Sequence, residues 1–76
     1  MAREQVIEIV SEMVAGVLGV SVEVGARVAA GDEVALLESM KMEIPVIAEV
    51  PGVVTAVKVA AGDVVQEGDV LLVLSP

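Results

Sequence analysis

The chain contains no cysteine, no histidine and no aromatic residue. Without cysteine there is no disulfide framework, thiol nucleophile or thiolate ligand. Without histidine the commonest general base and the commonest metal ligand are both missing. Tyrosine is absent too, so the scattered carboxylates offer no nucleophile and base to pair, and an enzyme acting alone is the least expected reading. Positive charge is scarce: four basic residues stand against twelve acidic ones, a net charge of −8. Such a surface repels the phosphates of nucleic acid and the headgroups of anionic membranes, so neither is expected as a partner. Long apolar runs are lacking as well. The longest stretch without a charge, Met13 to Val22, holds ten residues and two glycines, too short to span a bilayer. The start, MAREQVIEIV, alternates and carries acids where a secretory signal needs a basic segment and an apolar core, so a cytoplasmic location is expected.

What is present is valine, 19 of 76 residues. Branching at Cβ restricts rotamers in a helix and packs well on a pleated surface, which predicts an all-β domain. Expected strands are Gln5 to Val10, Val20 to Val24, Val34 to Glu38, Met42 to Ala48, Val57 to Val59 and Val70 to Leu74, with turn residues between them. At this length a single domain, residues 1–76, is the limit of what one core supports. Met1 and a complete repeat suggest that the domain is intact.

That repeat emerges when the chain is displaced by 37 positions against itself. Val20-x-Val22-x-x-Gly25-x-x-Val28-x-x-Gly31-Asp32 recurs as Val57-x-Val59-x-x-Gly62-x-x-Val65-x-x-Gly68-Asp69. Glycines at matched points imply matched backbone positions with φ > 0. Two half-domains, about 1–39 and 42–76, are expected to pack about an approximate two-fold axis, because neither buries its apolar face alone.

The junction of the halves reads Glu38-Ser39-Met40-Lys41-Met42-Glu43-Ile44-Pro45. One reading is a continuous strand with Met40, Met42 and Ile44 inward and Ser39, Lys41 and Glu43 in water. The repeat instead demands a reversal here, a hairpin turn at 39–42 with Met40 and Lys41 as its central pair. Two-residue hairpin loops require φ > 0 at both central positions, and a Met-Lys pair has no glycine or asparagine to relieve a strain of order 1–3 kcal/mol. A local rule broken at a solvent-facing tip points toward function. The flanking methionines are flexible thioethers suited to adaptable contacts, or alternatively to core filling.

The Met-Lys-Met centre within this duplicated frame resembles the attachment site of biotin carboxyl carrier domains in the biotinyl/lipoyl family. The resemblance covers essentially the whole chain, including Gly52-Val53-Val54 and the Gly62-Asp63 and Gly68-Asp69 pairs. It implies a flattened barrel-sandwich of two four-stranded antiparallel sheets with the lysine on an exposed hairpin. It further implies that Lys41 carries covalent biotin, attached by a biotin protein ligase that recognises Met40, Met42, Glu38, Ser39 and Glu43. The biotin would then carry a carboxyl group from a biotin carboxylase to a carboxyltransferase. Acylation needs a primary amine, and lysine's stem supplies reach. The uninterrupted run from Gly19 to Val28 leaves no room for the extra "thumb" loop of some relatives. Departures are Ala15, aligned with Gly52, and Ser39, where alanine is commoner. Lys58, expected inside a strand, is the rival acceptor. The Gly-Asp pairs are isolated turns and predict no metal site. A lipoyl carrier, whose usual motif is Asp-Lys-Ala, and an unmodified structural barrel are the alternative readings.

Overall fold

The computed structural model describes residues 6–76. Its strands are β1 (Ile7–Val10), β2 (Ala15–Val20), β3 (Arg27–Val28), β4 (Glu33–Ser39), β5 (Met42–Ile47), β6 (Gly52–Val57), β7 (Val64–Val65) and β8 (Val70–Ser75). They form two four-stranded antiparallel sheets, ordered β1-β8-β6-β3 and β5-β4-β2-β7. The all-β class, the two sheets and their strand number agree with the expectation from sequence. Gln5, the start of the first expected strand, lies outside the described residues.

Each half contributes to both sheets, so the halves interlock. The hydrogen bonds that join them come in matched sets displaced by 37 positions. Val17 N–H donates to the Asp63 carbonyl and Gly62 N–H to the Val17 carbonyl, both at 2.8 Å. Correspondingly, Val54 N–H donates to the Ala26 carbonyl and Gly25 N–H to the Val54 carbonyl, both at 2.8 Å. Ser11 and Ala48 form a second such pair, held by the Gly68-Asp69 and Gly31-Asp32 turns respectively. These turns close on themselves as well: Ala29 N–H donates to Asp32 Oδ2 and Gln66 N–H to Asp69 Oδ2, each at 2.8 Å. The repeated glycines behave as their spacing implies, with φ of +96° at Gly31 and +91° at Gly68.

The core follows the same duplication. Val17, Val28, Val34 and Leu37 of the first half are buried with Val54, Val65, Leu71 and Leu74, their counterparts in the second. Burying a Val or Leu completely contributes about 1.5–3 kcal/mol, which is how a domain without aromatic residues or disulfides offsets its chain entropy. The one buried polar side chain among the described residues, Ser11, is satisfied locally, its hydroxyl donating to the Met13 carbonyl at 2.6 Å. The sandwich is open along one side. There the equivalent outer strands β1 and β5 face each other across a groove of about 720 Å³.

Several expected elements differ. The alternating Val20 to Val24 segment is mostly not strand: β2 ends at Val20, Ser21 keeps one bond to β4, its N–H donating to the Val34 carbonyl at 2.9 Å, and Val22 to Val24 lie outside any strand. Likewise Val57 closes β6, and Lys58 and Val59 lie beyond it. In both halves the true strand precedes the alternating run and carries glycine. Gly52 opens β6 because a Cβ there would lie 2.9 Å from the Ser75 carbonyl oxygen across the sheet. The two-residue strands β3 and β7 have no sequence signal of their own, since two residues show no period.

Candidate functional site

The hairpin between β4 and β5 is where the chain departs most from local preference. Six residue pairs zip the two strands together, ending with Leu37↔Ile44, Glu38↔Glu43 and Ser39↔Met42. Only Met40 and Lys41 remain to turn the chain, with φ of 54° and 66°. Among the described residues these are the only two non-glycine positions with positive φ. Every other left-handed position in that set is a glycine. For an ordinary L-residue this conformation costs roughly 1–2 kcal/mol, because Cβ crowds the following carbonyl oxygen. The register of the long β4–β5 ladder supplies what holds it in place.

The continuous-strand alternative fails on exposure. Met40 is 91% and Met42 65% exposed, so neither fills the core. Lys41 is exposed at the tip, and none of the side-chain hydrogen bonds among the described residues involves it. Within that set its amine is left without a partner, in the two-residue turn of the hairpin. Ser39, half-buried, is the last residue of β4. Below the tip, Glu38 and Glu43 face each other directly across the strands, both exposed. Like charges placed opposite one another on a sheet are destabilising, so this pair is a local cost in the isolated domain. The structure thus brings Glu38, Ser39, Met40, Lys41, Met42 and Glu43 together on one hairpin end.

Lys58 is differently placed. It is exposed just past β6, where its backbone N–H donates to the Leu71 carbonyl at 2.8 Å. It borders a shallow depression shared with Glu8, Asp63 and Asp69, and its backbone is not left-handed. No group of three or more metal-ligating side chains occurs among the described residues. The connections 21–26 and 58–63 are equal in length in the two halves.

An exposed primary amine with no side-chain hydrogen bond among the described residues, projected by a paired hairpin, is what covalent attachment of a carboxylic-acid cofactor requires. The family described as biotin-requiring enzyme matches residues 5–74, and the chain belongs to this biotin/lipoyl attachment family. It is a biotin carrier domain rather than a catalytic one, homologous to the biotinyl domains of carboxylases.

Two bacterial relatives are similar over nearly their whole length. The chain is 54% identical over 65 residues to a Mycobacterium leprae protein named biotinylated protein TB7.3 homolog, covering 86% of this chain and 92% of that one. It is 52% identical over 64 residues to the biotin/lipoyl attachment protein of Bacillus subtilis, covering 84% and 88%. Among solved structures, a single-chain, multi-domain long-chain acyl-CoA carboxylase superposes with a TM-score of 0.86 at 32% identity. The match covers 99% of this chain and 8% of that one. The urea carboxylase of Kluyveromyces lactis gives a TM-score of 0.87 at 31% identity, with 97% and 6% covered. Against these large enzymes the chain corresponds to a small part.

Proposed function

We propose that Lys41 is the residue that carries biotin, through an amide between its Nζ and the biotin carboxyl group. The observation that carries this reading is the concentration of unrelieved left-handed backbone at Met40-Lys41, on an exposed tip, in a chain of the biotin/lipoyl attachment family. The amine must be delivered without its proton. The domain has no base at the tip, so a biotin protein ligase supplies both the activated biotin and the proton acceptor. That ligase reads the hairpin: Met40 and Met42 as apolar contacts, Glu38 and Glu43 as a paired negative charge, and Ser39 as a small residue permitting close approach. A cationic surface opposite Glu38 and Glu43 relieves their mutual repulsion, which favours the docked state.

Once attached, biotin supplies the carboxyl-accepting chemistry, and the protein supplies attachment, orientation and delivery. The hairpin presents the cofactor beyond the sheet rims, narrow enough to enter a recessed active site. Tethering raises the local concentration to about mM, so that a biotin carboxylase and a carboxyltransferase are served in turn by one arm. The relatives' names include propionyl-CoA carboxylase and acyl-CoA carboxylase subunits, which supports a biotin-dependent carboxylase as the host system. We place this activity in the cytoplasm.

Co-expression with a biotin protein ligase followed by intact mass measurement tests the assignment. One biotinoyl addition is expected, lost in Lys41→Arg and retained in Lys58→Arg. Retention in Lys41→Arg refutes it, and a lipoyl mass in place of biotinoyl favours the other branch of the family.

A further inference from the structure

The chain contains four methionines and no cysteine, histidine, tryptophan or tyrosine, so thioethers are its principal targets for two-electron oxidants. They are not equivalent. Met13 is half-buried and packs against the core. Met40 and Met42 are 91% and 65% exposed, on either side of Lys41. Methionine oxidation follows access of the oxidant to sulfur, so the most reactive thioethers among the described residues are those that flank the proposed attachment point.

We propose that the hairpin tip is a peroxide-responsive modification site, at which conversion of Met40 and Met42 to methionine sulfoxide disengages the domain from its ligase. The step balances simply. The sulfur lone pair attacks the distal oxygen of a hydroperoxide, the O–O bond breaks, and a new S–O bond forms. With hydrogen peroxide the other oxygen departs as hydroxide and takes the proton of the sulfur-bound hydroxyl, leaving sulfoxide and one water, the thioether losing two electrons and the peroxide gaining them. Nothing in the fold opposes the change, because the side chains already stand in solvent and their backbone is held by the β4–β5 ladder. The domain stays folded while its recognition surface changes. Each sulfoxide replaces a flexible apolar contact with a polar, chiral group that a dry pocket accepts poorly. Thiol-dependent sulfoxide reductases reverse the step, which distinguishes a switch from damage.

The ligase part rests on the reading of Lys41 as the attachment residue, and the experiment separates the two. The full-length apo-protein is treated with graded hydrogen peroxide, then split into one portion for peptide mapping and one for a timed assay with purified ligase, biotin and ATP. Among the described methionines, mapping is expected to find oxygen on Met40 first, then Met42, and on Met13 only later. Biotinylation of the oxidised protein is expected to slow by at least about tenfold, equivalent to roughly 1.4 kcal/mol. Treatment with both epimer-specific reductases should restore the rate. In the Met40→Leu/Met42→Leu variant the ratio of rates with and without peroxide should stay near one, whatever that variant's own rate. Oxidation of Met13 ahead of the hairpin overturns the proposal, as does an unchanged biotinylation rate with both hairpin sulfoxides present. If untreated protein takes up no biotin, the attachment reading and the ligase part fail together, while the order of oxidation still decides the reactivity of the site.

Discussion

Replacing Met40-Lys41 with Asn-Gly should stabilise the domain while destroying its capacity to carry a cofactor. Both residues are held at positive φ, 54° and 66°. An ordinary side chain costs roughly 1–2 kcal/mol at each such position. Glycine removes that steric term at position 41, and asparagine reduces it at position 40. Against this, glycine adds about 0.5–1 kcal/mol of chain entropy to the unfolded state. Neither native side chain loses much packing, since both lie in water. The net gain is therefore about 1–2 kcal/mol. For a domain of this size each kcal/mol moves the midpoint by about 4–8 °C. With no tryptophan or tyrosine to report by fluorescence, thermal and urea unfolding followed by far-UV circular dichroism is the suitable assay. Met40→Asn alone, which leaves the amine in place, should recover part of the gain. A matched control is Gly31→Ala, at φ +96°, which should shift stability the opposite way. An Asn-Gly variant no more stable than the parent would refute the claim that the tip stores strain, and with it the argument that function retains Met-Lys there.

Further outcomes follow from the core, a close backbone approach and the facing carboxylates of β4 and β5. Leu72→Ala, at a fully buried position, should lose about 2–5 kcal/mol in urea denaturation, the cost of transfer plus cavity. Gly52→Ala should destabilise by about 1–3 kcal/mol, because its Cβ would meet the Ser75 carbonyl at 2.9 Å, and backbone cannot yield as a side chain does. Ala15→Gly, at the matching place in the other half, should cost less. Glu38→Gln should raise stability slightly, by less than about 1 kcal/mol and less still at high salt, since it removes one of two carboxylates facing each other across β4 and β5. The same variant should slow the ligase, and that opposition of sign separates a recognition charge from a structural one.

Much of the hairpin was legible in the sequence because two independent signals coincide there. The displaced repeat requires a reversal near residue 40, and the residues at that point are the wrong ones for a reversal. The turns at Gly31-Asp32 and Gly68-Asp69 were legible for a related reason: a left-handed position demands glycine wherever it has no function to serve. The strands were read less well. The alternation from Val20 to Val24 satisfies the pattern of a half-buried strand, yet only Val20 belongs to one. Ala15-Gly16-Val17-Leu18-Gly19 looks unlike a strand and is the center of its sheet, between β4 and β7. Periodicity records which side chains are buried, and an extended segment packed against a core without a ladder alternates just as a strand does.

The residues by themselves therefore determined the all-β class, the duplication, the glycine-bearing turns and the exposed lysine, because each rests on short-range sterics or on the order of residues along the chain. Which strand lies beside which was decided only in three dimensions. Val17 bonds to Gly62 and Asp63, and Val54 to Gly25 and Ala26, so each half completes the other's sheet. That exchange depends on the two apolar faces meeting in one interior, a condition no local stretch of chain encodes.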